Sequence, residues 1–298
     1  MIVEPLLVIT NADAGSSDAE ALHPALAELR SRTDVEVART SNPGELDGVL
    51  QRRGGRRIVV AGGDGSVHAV VAALHRRHEL ANAVLGLVPL GTGNDFARGT
   101  RIPLDVVEAA RVVVEGDVRP VDVLVNCAGQ VVVNAVHVGI GAEAGRQAGS
   151  WKKWLGRAGY PVGALIAGFT HRGVRLRVEA DGEVLADLDR PVIQVAIGNG
   201  STIGGGTQIA PDASPEDGLA DVVVSFATSP WAKFGYTAQL ATRSHPARLD
   251  VVTASARRVG ISGQDFWCNA DGEIYGPEVN HEWHVEPGAF QMALPPAR

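Results

Sequence analysis

Three short stretches of this chain carry side chains that could do chemistry. In Gly62-Gly63-Asp64-Gly65-Ser66, three glycines enclose one aspartate directly after the apolar run Ile58 to Ala61. A buried strand, a glycine-rich turn and a helix start together make a phosphate site: bare backbone approaches closely, and the helix's first N–H groups favour an anion. Asp64 adds negative charge where phosphate should lie, which suits a Mg²⁺ ion held between the two. The alternative is a tight strand-to-helix turn with Asp64 as its N-cap. A second loop, Leu90-Gly91-Thr92-Gly93-Asn94-Asp95-Phe96-Ala97-Arg98, follows the apolar run Val84 to Pro89. Two such loops at successive strand ends converge on one crevice, because ligands in open α/β sheets bind beyond the carboxyl ends of the strands. The third stretch, Asp271-Gly272-Glu273, taken alone reads as an ordinary hairpin turn.

The elements that must position these loops follow from periodicity. Leu6 to Thr10 reads as a buried strand and Ala19 to Ser31 as a helix, with Pro24 tolerable only near its first turn. Val35 to Thr40 alternates like a strand, and Pro43 to Arg53, Ser66 to His78 and Leu104 to Glu115 read as helices. Alternating strands and helices predict a parallel sheet covered by helices. From about Asp122 the texture changes to short β-prone runs separated by Gly, Asp and Pro, which predicts a largely antiparallel region. Two helical interruptions stand out, around Trp151 to Phe169 and Trp231 to Ala241, and Ala289 to Leu294 reads as a last strand able to return to the first domain. The expected fold is α/β plus β-rich. A Rossmann-like three-layer nucleotide-binding domain over 1–121, completed by the strand within 286–298, precedes a β-sandwich-like domain over 122–285, with the active site in the cleft between them.

Composition narrows the function classes. The 298 residues are 45% hydrophobic and 20% charged, an ordinary globular balance, and the formal charge of −7 speaks against nucleic acid as a partner. Only Cys127 and Cys268 are present, a usage that fits a reduced, cytoplasmic protein, and Cys127 reads as a packing residue in a strand. No apolar run approaches the ~18 residues of a membrane-spanning helix, so any membrane contact is expected to be peripheral. Trp151-Lys152-Lys153-Trp154 pairs aromatics with cations and could make that contact; buried tryptophans with exposed lysines would look the same. His281-Glu282-Trp283-His284 lacks the spacing of a zinc motif and reads as strand, while His75 and His78 read as a solvated helix face. The assembly state is open, with a homodimer allowed.

The three stretches, together with Gly198-Asn199-Gly200, Gly204-Gly205-Gly206, Ala210-Pro211-Asp212-Ala213 and Asp217-Gly218-Leu219, occur in one order over nearly the whole chain. In that order they resemble the diacylglycerol kinase catalytic-domain family, in particular its soluble bacterial lipid kinases. The first motif is shared with sphingosine kinases and NAD kinases, and the Gly-Thr-Gly-Asn-Asp loop is the more discriminating piece. The resemblance implies an ATP- and Mg²⁺-dependent kinase that phosphorylates a lipid hydroxyl, most simply diacylglycerol to phosphatidic acid. It implies that Gly62, Gly63, Gly65 and Ser66 hold the ATP phosphates with Asp64 near the ion. Gly91, Thr92, Gly93, Asn94 and Thr40 match nucleotide-contacting positions. Glu273, in the family's Asp271-Gly272-Glu273 motif, is implied as general base, and a partly dry cleft would suit it to that role. Asp95 and Asp122 match acidic positions of a water and Mg²⁺ network linking the domains. Asp217, with carbonyls of Ser214 and Leu219, matches a separate structural Mg²⁺ site. His68 and Ala69 stand where the family usually carries Asn-Glu, and Ala72-Ala73 where it carries Asn-Gly. The alternatives are an NAD kinase-like enzyme and a catalytically silent nucleotide- or lipid-binding protein.

Overall fold

A strand with no polar position to offer must be covered on both faces, and the first domain is built on that condition. In the computed structural model, which describes residues 4–12, 16–139 and 173–296, strand β1 (Leu6–Asn11) lies between the parallel strands β2 (Val35–Thr40) and β3 (Arg57–Gly62). β3 pairs in turn with β4 (Val84–Pro89). Successive side chains go to opposite faces. Leu6, Val8, Val59 and Ala61 pack with Leu22, Leu26 and Leu29 of helix α1 (Ser16–Arg30). Leu7, Ile9, Ile58 and Val60 pack with Leu46 and Leu50 of α2 (Pro43–Gln51) and with Val67, Val70 and Val71 of α3 (Asp64–Arg76). Phe96 of α4 (Asp95–Gly99) joins the second group, and Val113 of α5 (Val106–Glu115) the first. The result is the expected three-layer arrangement.

Two local features differ from expectation. Pro24 sits in the interior of α1 rather than its first turn; it and Glu20, whose carbonyl loses its helical donor, are both on the exposed side of the helix. α3 begins at Asp64, with Gly63 as its N-cap, so the glycine loop is shorter than the sequence suggests.

The chain leaves the first domain along β5 (Asp117–Asn126). Asn126 ends that strand by accepting the N–H groups of Ala128 and Gln130 on its side-chain oxygen. Cys127 therefore lies exposed in the turn, not packed in a strand. After β6 (Val131–Val132) come β7 (Ala135–Gly139), β8 (Leu176–Ala180), β9 (Glu183–Ala186), β10 (Gln194–Gly198), the hairpin β11 (Thr202–Ile203) and β12 (Thr207–Gln208), β13 (Ala220–Ser225), α6 (Pro230–Thr242), β14 (Val251–Ala256) and β15 (Arg258–Ala270). The strand pairings among these elements are antiparallel. The region around Trp151 to Phe169, with Trp151-Lys152-Lys153-Trp154, lies outside the described residues. Among the described residues no helix is long and apolar enough to cross a membrane.

The last strand, β16 (Glu273–Leu294), is 22 residues long and joins the two domains. Its first part pairs antiparallel with β15, its later part antiparallel with β5, and Gln291 and Met292 pair in parallel with Val84 and Leu85 of β4. Fourteen of the described strands thus form one sheet, with the β11–β12 hairpin standing apart. His281 to His284 lies mid-strand, and Trp283 is fully buried in the second core. Phe290, at 0% exposure, anchors the same strand in the first core. Phe290→Ala is expected to cost about 3–5 kcal/mol of unfolding free energy. A urea melt showing a loss below about 1 kcal/mol would mean that the returning strand is not anchored there.

Candidate active site

The two glycine loops touch backbone to backbone. Leu90 donates its N–H to the Gly62 carbonyl at 3.1 Å. A Cβ on Gly91 would lie 2.6 Å from the Gly63 Cα, and one on Gly63 2.9 Å from the Gly91 Cα, so neither position has room for a side chain. Asn94, in the left-handed region with φ 51, locks the second loop: its Oδ1 accepts from Gly91 N–H at 3.0 Å and its Nδ2 donates to the Gly91 carbonyl at 2.8 Å. Asp64 caps a neighbour's helix instead of its own, accepting the Phe96 N–H of α4 on Oδ1 at 2.9 Å. A Cβ on Gly93 would lie 3.1 Å from Asp64 Oδ2 and 3.4 Å from Asp95 Oδ2, which brings the two carboxylates to one small space.

Three further acidic residues reach across the domains. Asp95 is buried, and its oxygens accept the N–H groups of Gly205 at 2.9 Å and Gly206 at 2.8 Å. Asp122 is buried and accepts from Gly218 at 2.7 Å and Gly288 at 2.6 Å. Burial nonetheless pushes the Asp122 carboxyl above its ordinary range, opposed by those two amides and helped by the charges of Asp217 and Glu216. Asp271 has a fully buried side chain. It accepts from Val133 at 2.6 Å, Asn134 at 2.9 Å and Ala135 at 3.3 Å, and meets His68 Nδ1 at 2.9 Å. Asn199 completes this junction, donating to the carbonyls of Asp122 and Val133.

Between the domains lies a cavity of about 880 Å³, within the range of ligand sites. One wall comes from Thr40, Gly63, Gly65, Ser66 and His68, the opposite wall from Asp271, Gly272, Glu273, Tyr275 and the Asn126–Gln130 turn. The first glycine motif and the Asp-Gly-Glu turn, about 200 residues apart, therefore face one space. Glu273 itself is exposed, so the dry surroundings expected for it are not found; the buried carboxylate of the pair is Asp271. Thr92 is exposed and outside the cavity wall. Tyr275 was not singled out by sequence, although a strand alternates sides and residue 275 must share the Glu273 face. His75 is not simply solvated: its Nε2 lies 3.2 Å from Glu286 of β16.

The donor set fits a Mg²⁺ ion at the first loop. Such an ion takes one or two carboxylates and completes its shell with phosphate and water. Asp64 Oδ2 accepts no hydrogen bond from the described residues, whereas both Asp95 oxygens are already occupied by amides. Among the described residues no cluster of three or more His, Cys, Asp or Glu could enclose a metal. At the other expected position Asp217 is exposed, and its Oδ1 is bonded to the Leu219 N–H; with Ser214 it lies outside the cavity wall.

Known proteins share the sequence and fold of both halves of the chain. The model of the diacylglycerol kinase catalytic domain matches residues 5–125, and that of the YegS C-terminal NAD kinase beta sandwich-like domain matches residues 134–294. A "Probable lipid kinase YegS-like" protein of Xanthomonas oryzae pv. oryzae is 31% identical, over 94% of this chain and 93% of its own. One of the same name from Pectobacterium atrosepticum is 28% identical over 98% and 96%. A crystal structure of a diacylglycerol kinase from Bacillus anthracis str. Sterne shares the fold, with a TM-score of 0.78, 24% identity and 99% coverage of each chain.

The loop contact yields a paired test. Gly91→Ala places a methyl against the Gly63 backbone and is expected to cost about 1–3 kcal/mol, since backbone cannot yield as a side chain can. Gly65→Ala meets nothing within 4 Å and should be neutral or gain up to about 1 kcal/mol from helix propensity. Equal thermal shifts for the two variants would contradict the contact.

Proposed function

Since the chain belongs to the diacylglycerol kinase catalytic-domain family of YegS-like lipid kinases, we propose that it transfers the terminal phosphoryl group of ATP to a lipid hydroxyl, converting diacylglycerol to phosphatidic acid. The observation that carries this reading is the shared cavity, with Gly63, Gly65 and Ser66 on one wall and Glu273 on the other. Phosphoryl transfer asks for held phosphates and a group to take the acceptor's proton. The start of α3, where Gly63 makes no side-chain cap, offers its first N–H groups and a favourable dipole to the phosphates, with Thr40 also lining the cavity. Glu273, on the first residue of β16, faces that space from the other domain and takes the proton as the lipid oxygen bonds to phosphorus and the bond to ADP breaks. When bound, Mg²⁺ would neutralise charge on the phosphates, and Asp64 is the side chain we assign to hold it. Asp95 and Asp122 act by holding the domains in register. We assign Asp217, with the Ser214 and Leu219 carbonyls, to a second, structural ion only.

The acceptor brings the cleft to a lipid surface, so we expect peripheral membrane association, and use of ATP fits a cytoplasmic location. Glu273→Gln should lower turnover by about 10²–10⁴-fold while leaving nucleotide affinity nearly unchanged. The measurement is transfer of labelled phosphate from ATP to a panel of diacylglycerol, sphingoid base, ceramide, phosphatidylglycerol and NAD. Undiminished lipid phosphorylation by the variant would remove Glu273 from its role, and label on NAD alone would replace the lipid acceptor by a dinucleotide.

A further inference from the structure

His68 replaces a residue that the family usually carries as asparagine, and the structure gives the replacement a partner in the other domain. It lies one turn into α3 on the cavity wall, and its Nδ1 meets Asp271 Oδ2 across 203 residues of chain. Asp271 already accepts three backbone N–H groups, so the imidazole acts as donor. With Asp271 fully buried and the His68 side chain 19% exposed, the bond lies largely out of water, where a charge-assisted contact is strong. Two residues beyond Asp271 stands Glu273.

We propose that His68 is a positioning residue, which pins the Asp271 turn to α3 and so fixes where Glu273 stands relative to the glycine loops. The proposal rests on the reading of Glu273 as base. No contact between His68 and the reacting atoms is required. The turn is short: Asp271 and Gly272 both have positive φ, at 49 and 93, and Gly272 N–H is bonded to Asn269 Oδ1 at 2.9 Å. Ala270 and Glu273 pair across this two-residue loop, so Glu273 belongs to the same hairpin that Asp271 turns.

The bond with Asp271 raises the proton affinity of His68; burial opposes it, and the charges of Asp271 and Glu273 add to the rise. On its own helix Arg76 acts in the other direction. From the elements packed against α3, β3 carries Arg57, which donates to the Val113 carbonyl, β6 offers only Val131 and Val132, Glu45 of α2 is bonded to Ser41 while Asp47 pairs with Arg76, and Glu79 pairs with Arg53 and Arg77. α4 contributes Asp95, held by Gly205 and Gly206, and Arg98, which donates to the Gly93 carbonyl. Because the folded imidazole holds its proton more tightly, the contribution is fully present below the ordinary value of 6.5. It is lost as pH rises through the raised folded value.

The test compares wild type, His68→Ala, His68→Asn and Glu273→Gln in full-length protein, measuring lipid phosphorylation against pH and affinity for a non-hydrolysable ATP analogue. His68→Ala should lower kcat by about tenfold or more, the size expected for loss of a charge-assisted bond, with analogue affinity changed by less than about threefold. His68→Asn keeps a side-chain donor without a titrating group, so it should recover most of the activity at neutral pH and lack the fall in kcat that wild type shows as the imidazole deprotonates. If His68→Ala fails to fold, the pH profile of His68→Asn decides alone. An unchanged kcat and profile in His68→Ala, or a basic limb retained in His68→Asn, overturns the proposal. Undiminished activity in Glu273→Gln overturns the underlying reading instead.

Discussion

Three carboxylates withdrawn from water hold the two domains to one another. Burying such a charge is costly unless donors surround it, and Asp95, Asp122 and Asp271 each take theirs from chain that is distant in sequence. The four donors to Asp95 and Asp122 are Gly205, Gly206, Gly218 and Gly288, and all four have positive φ. A glycine there turns its N–H toward the carboxylate in a conformation that other residues resist. Part of the glycine punctuation in the second half of the chain is thereby accounted for. It supplies amides to buried acids.

Direct bonds add to the part that the resemblance gives these acidic residues. It assigns Asp95 and Asp122 to a water and Mg²⁺ network between domains, and each also accepts backbone amides directly, from Gly205 and Gly206 and from Gly218 and Gly288. Asp64 is the exception, with one oxygen committed to Phe96 and the other facing Gly93. The Asp271-Gly272-Glu273 turn shows the same division within three residues. Asp271 is buried and saturated, while Glu273 is exposed on the cavity wall. One member of the pair fixes the turn and the other is left accessible to a ligand.

How far the sequence could be read follows from the range of each interaction. The strands of the first domain and both glycine loops were legible because their signals are local: apolar runs closed by Gly, Asn and Asp. The length of β16 was not, because Pro277 and the Pro287-Gly288 pair look like breaks. In the structure the pairing partners shift register around these points, and the Gly288 N–H that leaves the ladder goes to Asp122. Cys127 was misplaced because the Asn126 side chain ends its strand, an effect invisible to hydrophobic pattern. The contacts of His68 with Asp271, across the domains, and of His75 with Glu286, on the returning strand, join residues more than 200 apart in sequence and leave no periodic trace at all.

The helix after the first loop is where sequence and structure together say most. Ala69 and Ala72 occupy positions where the family carries larger polar residues, and both line the cavity. Their methyl groups can neither donate nor accept, so the polar side chains that α3 itself brings to the cavity are those of Ser66, His68 and Arg76. Of these, His68 has the bond that reaches the opposite domain. An asparagine at 68 would offer a neutral amide; an imidazole offers a donor whose charge depends on pH, set against an acid that cannot rehydrate. The substitution therefore keeps the connection between the phosphate loop and the Asp-Gly-Glu turn while changing its electrostatics, and the loss of polar side chains at 69 and 72 leaves that connection without a neighbour on the helix to share it.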